Sequence, residues 1–390
     1  MSGEEPALRL TRLTLTHFRN YDALTWRPCG RIAVISGPNG SGKTNLLEAI
    51  SLLTPGRGLR GARIGELMRQ GAESWAVAGR FDTLTGEVDI GTGTPPDGPP
   101  DRRVFRLDGA TPRSQGDIAE RVAAVWLTPQ MDRLFQEGAS GRRRFLDRLV
   151  YAIEPGHARE VAACETATGS RNRLLHEGRT GRGMADRAWL AGIEDAIARH
   201  AVAATAARAG LVARLNTALA DGIAGAFPGA RATLICPIAD RLAAGPALAA
   251  EDWLRETLAA GRGRDAAAGS TAVGAHRADL ALADAETGRD AALASTGQQK
   301  ALLIGVILGH AGLLTRSRGF GPLLLLDEPA VHLDATRREA LFAALAAIPA
   351  QAFLTGTDGA TFAPLRGLAE GLRTGGGTLL ADPDFPPLAD

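Results

Sequence analysis

The chain has 390 residues, 45% of them hydrophobic, enough for two or three compact units with a sizeable core. A formal net charge of only +1 means that the bulk field does not announce a nucleic-acid partner, so any such site must come from local patches. No apolar run reaches the length of a membrane span, and the opening MSGEEPALRL is polar and acidic, unlike a secretory signal. Cys29, Cys164 and Cys236 lie far apart without metal-binding spacing, so reduced thiols and a cytoplasmic location are expected. Lysine occurs only at Lys43 and Lys300, and arginine carries the remaining positive charge.

In chain order, Leu8 to Leu15 alternate as a half-buried strand, and His17 to Tyr21 read as a turn toward a second strand. Ile32 to Ile35 form a short buried-strand signal. Gly37-Pro38-Asn39-Gly40-Ser41-Gly42-Lys43-Thr44 follows, and then Leu46, Leu47, Ile50 and Leu53 recur at helical spacing. Pro55 to Gly65 is a loop by its glycine and arginine content. WAVAGRF, EVDIG and RVFRL, between Trp75 and Leu107, predict an antiparallel sheet, with Thr94 to Pro100 as a surface loop. Val122 to Leu127 predicts another strand, ending at Thr128-Pro129-Gln130, and Arg142 to Asp147 predict a helix. The stretch from about Ala158 to Phe227 reads as helical, with Leu211, Leu215 and Leu219 at i, i+4 and Ile193 and Ile197 likewise. Gly261 to Gly269 reads as a junction, and the tail from Gly371, with GGG and PDFPP, as irregular.

Strand, glycine-rich loop and helix arrive in the order a phosphate-binding loop requires. The glycines let backbone N–H groups wrap phosphate oxygens, the helix N-terminus adds a positive dipole end, Lys43 is placed to reach the β- and γ-phosphates, and Thr44 to hold Mg²⁺. The second stretch is LLLLDEPAVHLD, Leu323 to Asp334. Four leucines predict a buried strand, with Asp327 at its end suited to Mg²⁺ and Glu328 suited to orienting and deprotonating an attacking water. The third is STGQQK, Ser295 to Lys300, before the apolar run ALLIGVIL. Serine and glycine at a helix N-terminus form a second anion site, which one subunit does not need but a head-to-tail pair does.

GPNGSGKT, STGQQK and LLLLDEP…LD together resemble the ATP-binding cassette superfamily. More narrowly, LTLTHFRNY, GPNGSGKTNLLEAI with PGRGLRGAR, TPQMDRLFQEGASGRRRFLD, SRNRLL, TAVGAHRADL and the two later motifs resemble the RecF family of its SMC-like branch. The resemblance implies an α/β P-loop ATPase head, a mixed sheet with an antiparallel β subdomain, interrupted by an inserted α-helical arm. Residues 1–145 and 269–390 would form the head and 146–268 the arm. It implies ATP and Mg²⁺ as cofactors, with Gly37 to Thr44 as the phosphate loop. Gln130 would stand in the Q-loop with Mg²⁺ and the attacking water, and Asp327 on Mg²⁺. Glu328 would be the catalytic base and Asp334 the D-loop acid. Ser295, Gly297 and Gln298 would be a signature reaching the partner's γ-phosphate, and Arg19 and Asn20 would touch the nucleotide.

The sequence departs from many cassette ATPases in having no switch histidine after Ala352 to Thr355, which leaves Thr355 or Thr357 for the γ-phosphate and suits slow hydrolysis. His276 and Arg277 match the family's HRDDL turn, but Ala278 replaces its first aspartate, so a structural role for His276 weighs as much as a functional one. Arg57, Arg60 and Arg63 in the glycine-rich loop and Arg142, Arg143 and Arg144 on the helix are the candidate patches for DNA phosphates, without sequence preference. The implied role is recombinational repair at gapped or stalled replication DNA. It would be carried out by an ATP-dependent homodimer working with RecR and RecO, without a membrane. A transporter-associated ATPase subunit and a nucleotide-dependent DNA scaffold with negligible turnover are the competing readings.

Overall fold

The computed structural model describes residues 7–95, 98–99, 101–179, 187–225, 227–386 and 388. The acidic opening, part of the Thr94 to Pro100 loop and one proline of the tail motif lie outside these residues. The chain starts with the hairpin β1 (Arg9–Phe18) and β2 (Tyr21–Trp26), followed by β3 (Ile32–Ser36) and α1 (Lys43–Leu52). Next come β4 (Ala76–Thr83), β5 (Gly86–Gly93), β6 (Val104–Leu107), α2 (Gln115–Ala119) and β7 (Ala124–Leu127). The helices α3 (Ala139–Ile153), α4 (His157–Arg179) and α5 (Arg187–Ala220) follow, then β8 (Ala230–Ile235), α6 (Pro237–Ala244), α7 (Ala247–Ala268) and β9 (Asp279–Asp284). The last part carries α8 (Thr296–Arg318), β10 (Leu323–Leu326), α9 (Ala335–Ala347), β11 (Ala352–Gly356), β12 (Ala369–Gly375) and β13 (Thr378–Ala381).

Two sheets build the main body. One is antiparallel, in the order β2-β1-β4-β5-β6, as the alternating segments predict. The other runs β13-β12-β3-β11-β10-β7 and is parallel except at β13. β3, β7, β10 and β11 are buried throughout, which is why they read as unbroken apolar runs with no alternation. The buried Gln351 amide joins the sheets: it accepts from Leu10 N–H at 2.7 Å and donates to the Leu10 and Gly30 carbonyls. Helix α8, apolar all round from Ala301 to Leu308, is buried along most of its length.

Helices α4 and α5 run antiparallel, tied by His200–Glu160 and Arg171–Glu194 contacts, and α7 packs beside them. A separate hydrophobic cluster forms there, around Cys164, Ile197, Val202, Cys236, Leu254 and Leu258. The C-terminal half of α5 (Leu211, Leu215, Leu219) joins the main core instead, and position 146 falls inside α3, whose Phe145, Leu149 and Val150 are also main-core residues.

Two expectations are corrected. Gly261 to Gly269 is not an open junction: α7 continues to Ala268, because Ala250, Leu254, Leu258, Gly261 and Asp265 form one buried stripe against the neighbouring helices. The tail from Gly371 is not irregular. β12 joins the core sheet beside β3, and Gly376 and Gly377, at φ 59° and 80°, make the two-residue turn that returns the chain as β13. By composition those glycines suggest irregular chain, whereas they supply the hairpin's turn. Among the described residues no helix is long and apolar enough to cross a membrane.

Candidate functional site

Parallel strands place the site at their carboxyl ends, where loops leave the sheet side by side. β3 delivers the phosphate loop, β10 delivers Asp327 and Glu328, and β11 delivers Thr355 between them. Lys43 is buried, and its ammonium donates to the Gly37 and Pro38 carbonyls at 2.7 and 2.9 Å. Burial lowers its pKa, and Glu328 and Asp327 oppose the shift. The Thr44 hydroxyl donates to Asp327 Oδ1 at 3.0 Å. A hydroxyl and a carboxylate at the entrance to a phosphate cradle are the hard oxygen donors that suit Mg²⁺, with phosphate and water completing its shell. Among the described residues no cluster of three or more His, Cys, Asp or Glu offers a protein-only metal site, and the three cysteines are free.

Thr355 is fully buried. It donates to Asp327 Oδ1 at 2.6 Å and accepts from Glu328 N–H at 3.0 Å. Its hydroxyl is therefore engaged by the acidic pair, while Thr357, two residues further on and just past β11, is exposed. Glu328 adopts φ +50°, a left-handed conformation costly for a non-glycine residue. Gln130 is exposed in the turn Pro129–Arg133, directly after β7, and the pairing Leu127↔Leu326 sets that turn beside the acidic strand end.

The phosphate loop is braced from the other end of the sequence. Gly37 stands so close to the hairpin that a Cβ would lie 2.6 Å from Thr374 O, and at Gly42 a Cβ would lie 2.5 Å from Asn20 Nδ2. Asn20 Nδ2 donates to Ser41 O, and Asn45 donates to Asn20 Oδ1. Thr374 donates to Ser41 O and contacts the Tyr21 hydroxyl, which donates to Gly42 O. Desolvation raises the Tyr21 pKa. Arg19 forms a two-pronged pair with buried Glu48 at 2.8 Å, and Arg60 reaches the same carboxylate at 3.2 Å. Tyr21 and Thr374 are absent from the predicted site. Tyr21 sits in the quoted opening motif, but Thr374 lies in the tail read as irregular.

Ser295 caps α8, accepting from Gln298 N–H while the Gln298 side chain accepts from Ser295 N–H. Both are exposed, and Gly297 abuts the His332 carbonyl of the segment after β10. Asp334 is exposed and caps α9 through Arg337 N–H at 2.8 Å. His276 Nε2 donates to Thr271 O at 2.9 Å, and burial lowers its pKa; Arg277 donates to the same carbonyl. Of the arginine candidates, Arg57, Arg60, Arg63 and Arg144 are exposed. Arg60 is held by Glu48 and Asn45, Arg142 forms a two-pronged pair with Asp279, and Arg143 donates to Ala278 O.

A phosphate-binding loop braced by an N-terminal antiparallel sheet, with an acidic pair ending the next-but-one strand and a serine-capped helix behind it, defines a P-loop head of the SMC-like kind. The family model described as the RecF/RecN/SMC N terminal domain matches residues 9–365. The solved structure of the recombination mediator protein RecF-ATPrS in the RecFOR pathway superposes with TM-score 0.83 at 22% identity, over 98% of this chain and 100% of that one. The Smc head domain of Pyrococcus furiosus, with coiled coil and bound ScpA fragment, gives 0.52 at 15% identity over 96% of each chain. The DNA replication and repair protein RecF of Mesorhizobium japonicum is 48% identical over 374 residues, 95% of this chain and 97% of its own length. The RecF of Agrobacterium fabrum is 47% identical over 360 residues, 91% and 94% of the two chains. The chain belongs to the RecF family, as its motifs and their order lead one to expect.

Proposed function

We propose that the chain is an ATP-dependent DNA-binding protein of recombinational repair and replication-gap processing, with slow, DNA-dependent ATP hydrolysis. Gly37 to Thr44 bind the triphosphate, assisted by Arg19 and Asn20. Thr44, Asp327 and Gln130 would hold Mg²⁺, which supplies charge neutralisation at the β- and γ-phosphates. Glu328 takes the proton of the attacking water, and Gln130 helps to orient that water. ATP joins two heads head to tail, so that Ser295, Gly297 and Gln298 of each close on the other's γ-phosphate while Asp334 borders the contact. DNA phosphates are neutralised by exposed arginines, foremost Arg57, Arg63 and Arg144; Arg60, Arg142 and Arg143 already carry partners within the chain. Release follows hydrolysis, and recombinase loading proceeds with RecR and RecO. Support for the two proteins comes from relatives named for DNA replication and repair and from a fold neighbour named for the RecFOR pathway.

The observation that carries this reading is a division of the chemistry. Lys43, Thr44, Asp327, Thr355 and Glu328 converge, while the Ser295–Gln298 cap closes on itself and faces solvent. The test is sedimentation with ATP, with and without gapped duplex DNA, beside Lys43→Ala and Ser295→Arg. An ATP-dependent dimer lost in both variants and retaining DNA is expected. A monomer under every condition overturns the shared-site mechanism. Glu328→Gln should trap the dimer; a variant indistinguishable from wild type would favour a non-hydrolysing scaffold.

A further inference from the structure

Lys300 is one of two lysines in a chain that otherwise uses arginine, and it is only 1% exposed. It sits in the second turn of α8, just behind the Ser295 cap. Its ammonium donates to the Glu328 carbonyl at 3.0 Å and lies 3.4 Å from Asp132 Oδ2, on the turn that also carries Gln130. Desolvation lowers its pKa, and Asp132 opposes that shift. Asp132 is buried too, and its other oxygen has no hydrogen-bond partner. A cleft of about 470 Å³ opens beside them, lined by Asp132, Arg133, Thr296, Lys300, Glu328 and His332.

Glu328 is thus held at both of its main-chain polar groups, on the peptides before and after its Cα. Thr355 holds its N–H and Lys300 its C=O. A left-handed non-glycine residue persists only where its surroundings over-determine it, and these two buried side chains do so. A compact ammonium can serve a carbonyl and a carboxylate at once in this enclosed space, where a planar guanidinium fork would need more room.

We infer that Lys300 is a positioning residue for hydrolysis: it fixes the main chain of Glu328 and ties it to the helix capped by Ser295. A shift of α8 on engaging a partner is thereby passed to the carboxylate of Glu328 and to the turn of Gln130. This rests on the proposed role of Glu328 as base.

The alternative is an ion pair that only holds the fold, and two variants separate the two. Lys300→Met keeps length and removes the donor, leaving Asp132 buried and unpaired, so it is expected to melt earlier. Lys300→Met with Asp132→Asn removes that lone charge and should recover most of the melting temperature. In the double variant, hydrolysis in a single turnover of pre-bound ATP should stay slowed by about tenfold or more, with ATP affinity within about twofold of wild type. A double variant that regains stability and the wild-type rate, or that loses ATP affinity in step with rate, overturns the inference. If the wild-type protein itself hydrolyses no ATP, with or without DNA, the reading of Glu328 as base fails and the inference falls with it.

Discussion

Replacing Thr355 by valine tests whether a hydroxyl has taken over the organising task at the end of β11. The two side chains have nearly the same shape, so the change removes hydrogen bonding and little packing. Thr355 is fully buried, donates to Asp327 at 2.6 Å and receives the Glu328 N–H at 3.0 Å. A hydrogen bond to a charged group is worth about 1.5–3 kcal/mol, and an orphaned donor costs about 1–3 kcal/mol. Asp327 keeps its bond from Thr44, and the Glu328 amide is only partly buried, so the two effects together should cost about 3 kcal/mol. Urea unfolding monitored through the head should show that loss. Part of it should appear in the barrier, slowing single-turnover hydrolysis by about 10–100-fold, since each 1.36 kcal/mol is a factor of ten. Thr355→Ser restores the hydroxyl and should recover the rate. A valine variant within about 0.5 kcal/mol of wild type and with an unchanged rate would refute the reasoning.

Gly297→Ala should behave against type. An alanine for glycine in an exposed helical turn usually stabilises by about 0.4–1 kcal/mol. Here the added Cβ would lie 2.7 Å from the His332 carbonyl, so a loss of about 1–3 kcal/mol and of the ATP-dependent dimer is expected in melting and sedimentation. His310 supplies a pH prediction. It is fully buried against the Leu149 carbonyl, and desolvation, aided by Arg148 and Arg214, lowers its pKa to about 4. The unfolded state takes up that proton first, so the stability tied to the neutral ring is whole above about pH 6.5 and is lost as pH falls toward 4, to a total of about 3 kcal/mol. His310→Gln should flatten that slope in melting curves between pH 7 and 4; an unchanged slope would assign acid sensitivity elsewhere.

The elements legible in the sequence were those whose signal is local. Ile32 to Leu53 carries strand, loop and helix within one window, and Leu323 to Asp334 shows its strand and acidic pair side by side. Helix α5 was visible through the spacing of Leu211, Leu215 and Leu219, which pack into the main core. What escaped was set by partners distant in sequence. Thr374 reaches Ser41 across 333 positions, and Lys300 reaches Asp132 across 168. Gly261 reads as a breaker by composition, yet it lies on the buried stripe of α7 with Ala250, Leu254, Leu258 and Asp265. The hairpin of Gly376 and Gly377 was hidden for a related reason: β13 is short and largely exposed, so it lacks the apolar alternation by which strands are found.

The scarcity of lysine has a practical consequence. Both ε-amines are enclosed, Lys43 at 5% exposure and Lys300 at 1%. Acylating reagents, which decorate most proteins all over, have no lysine to attack on the surface of this one. Cross-linking and immobilisation through side chains can use carboxylates or Cys29, the exposed thiol, instead of lysine. Any reaction at a lysine in the native chain instead becomes a direct record of the phosphate loop or the acidic strand end coming open.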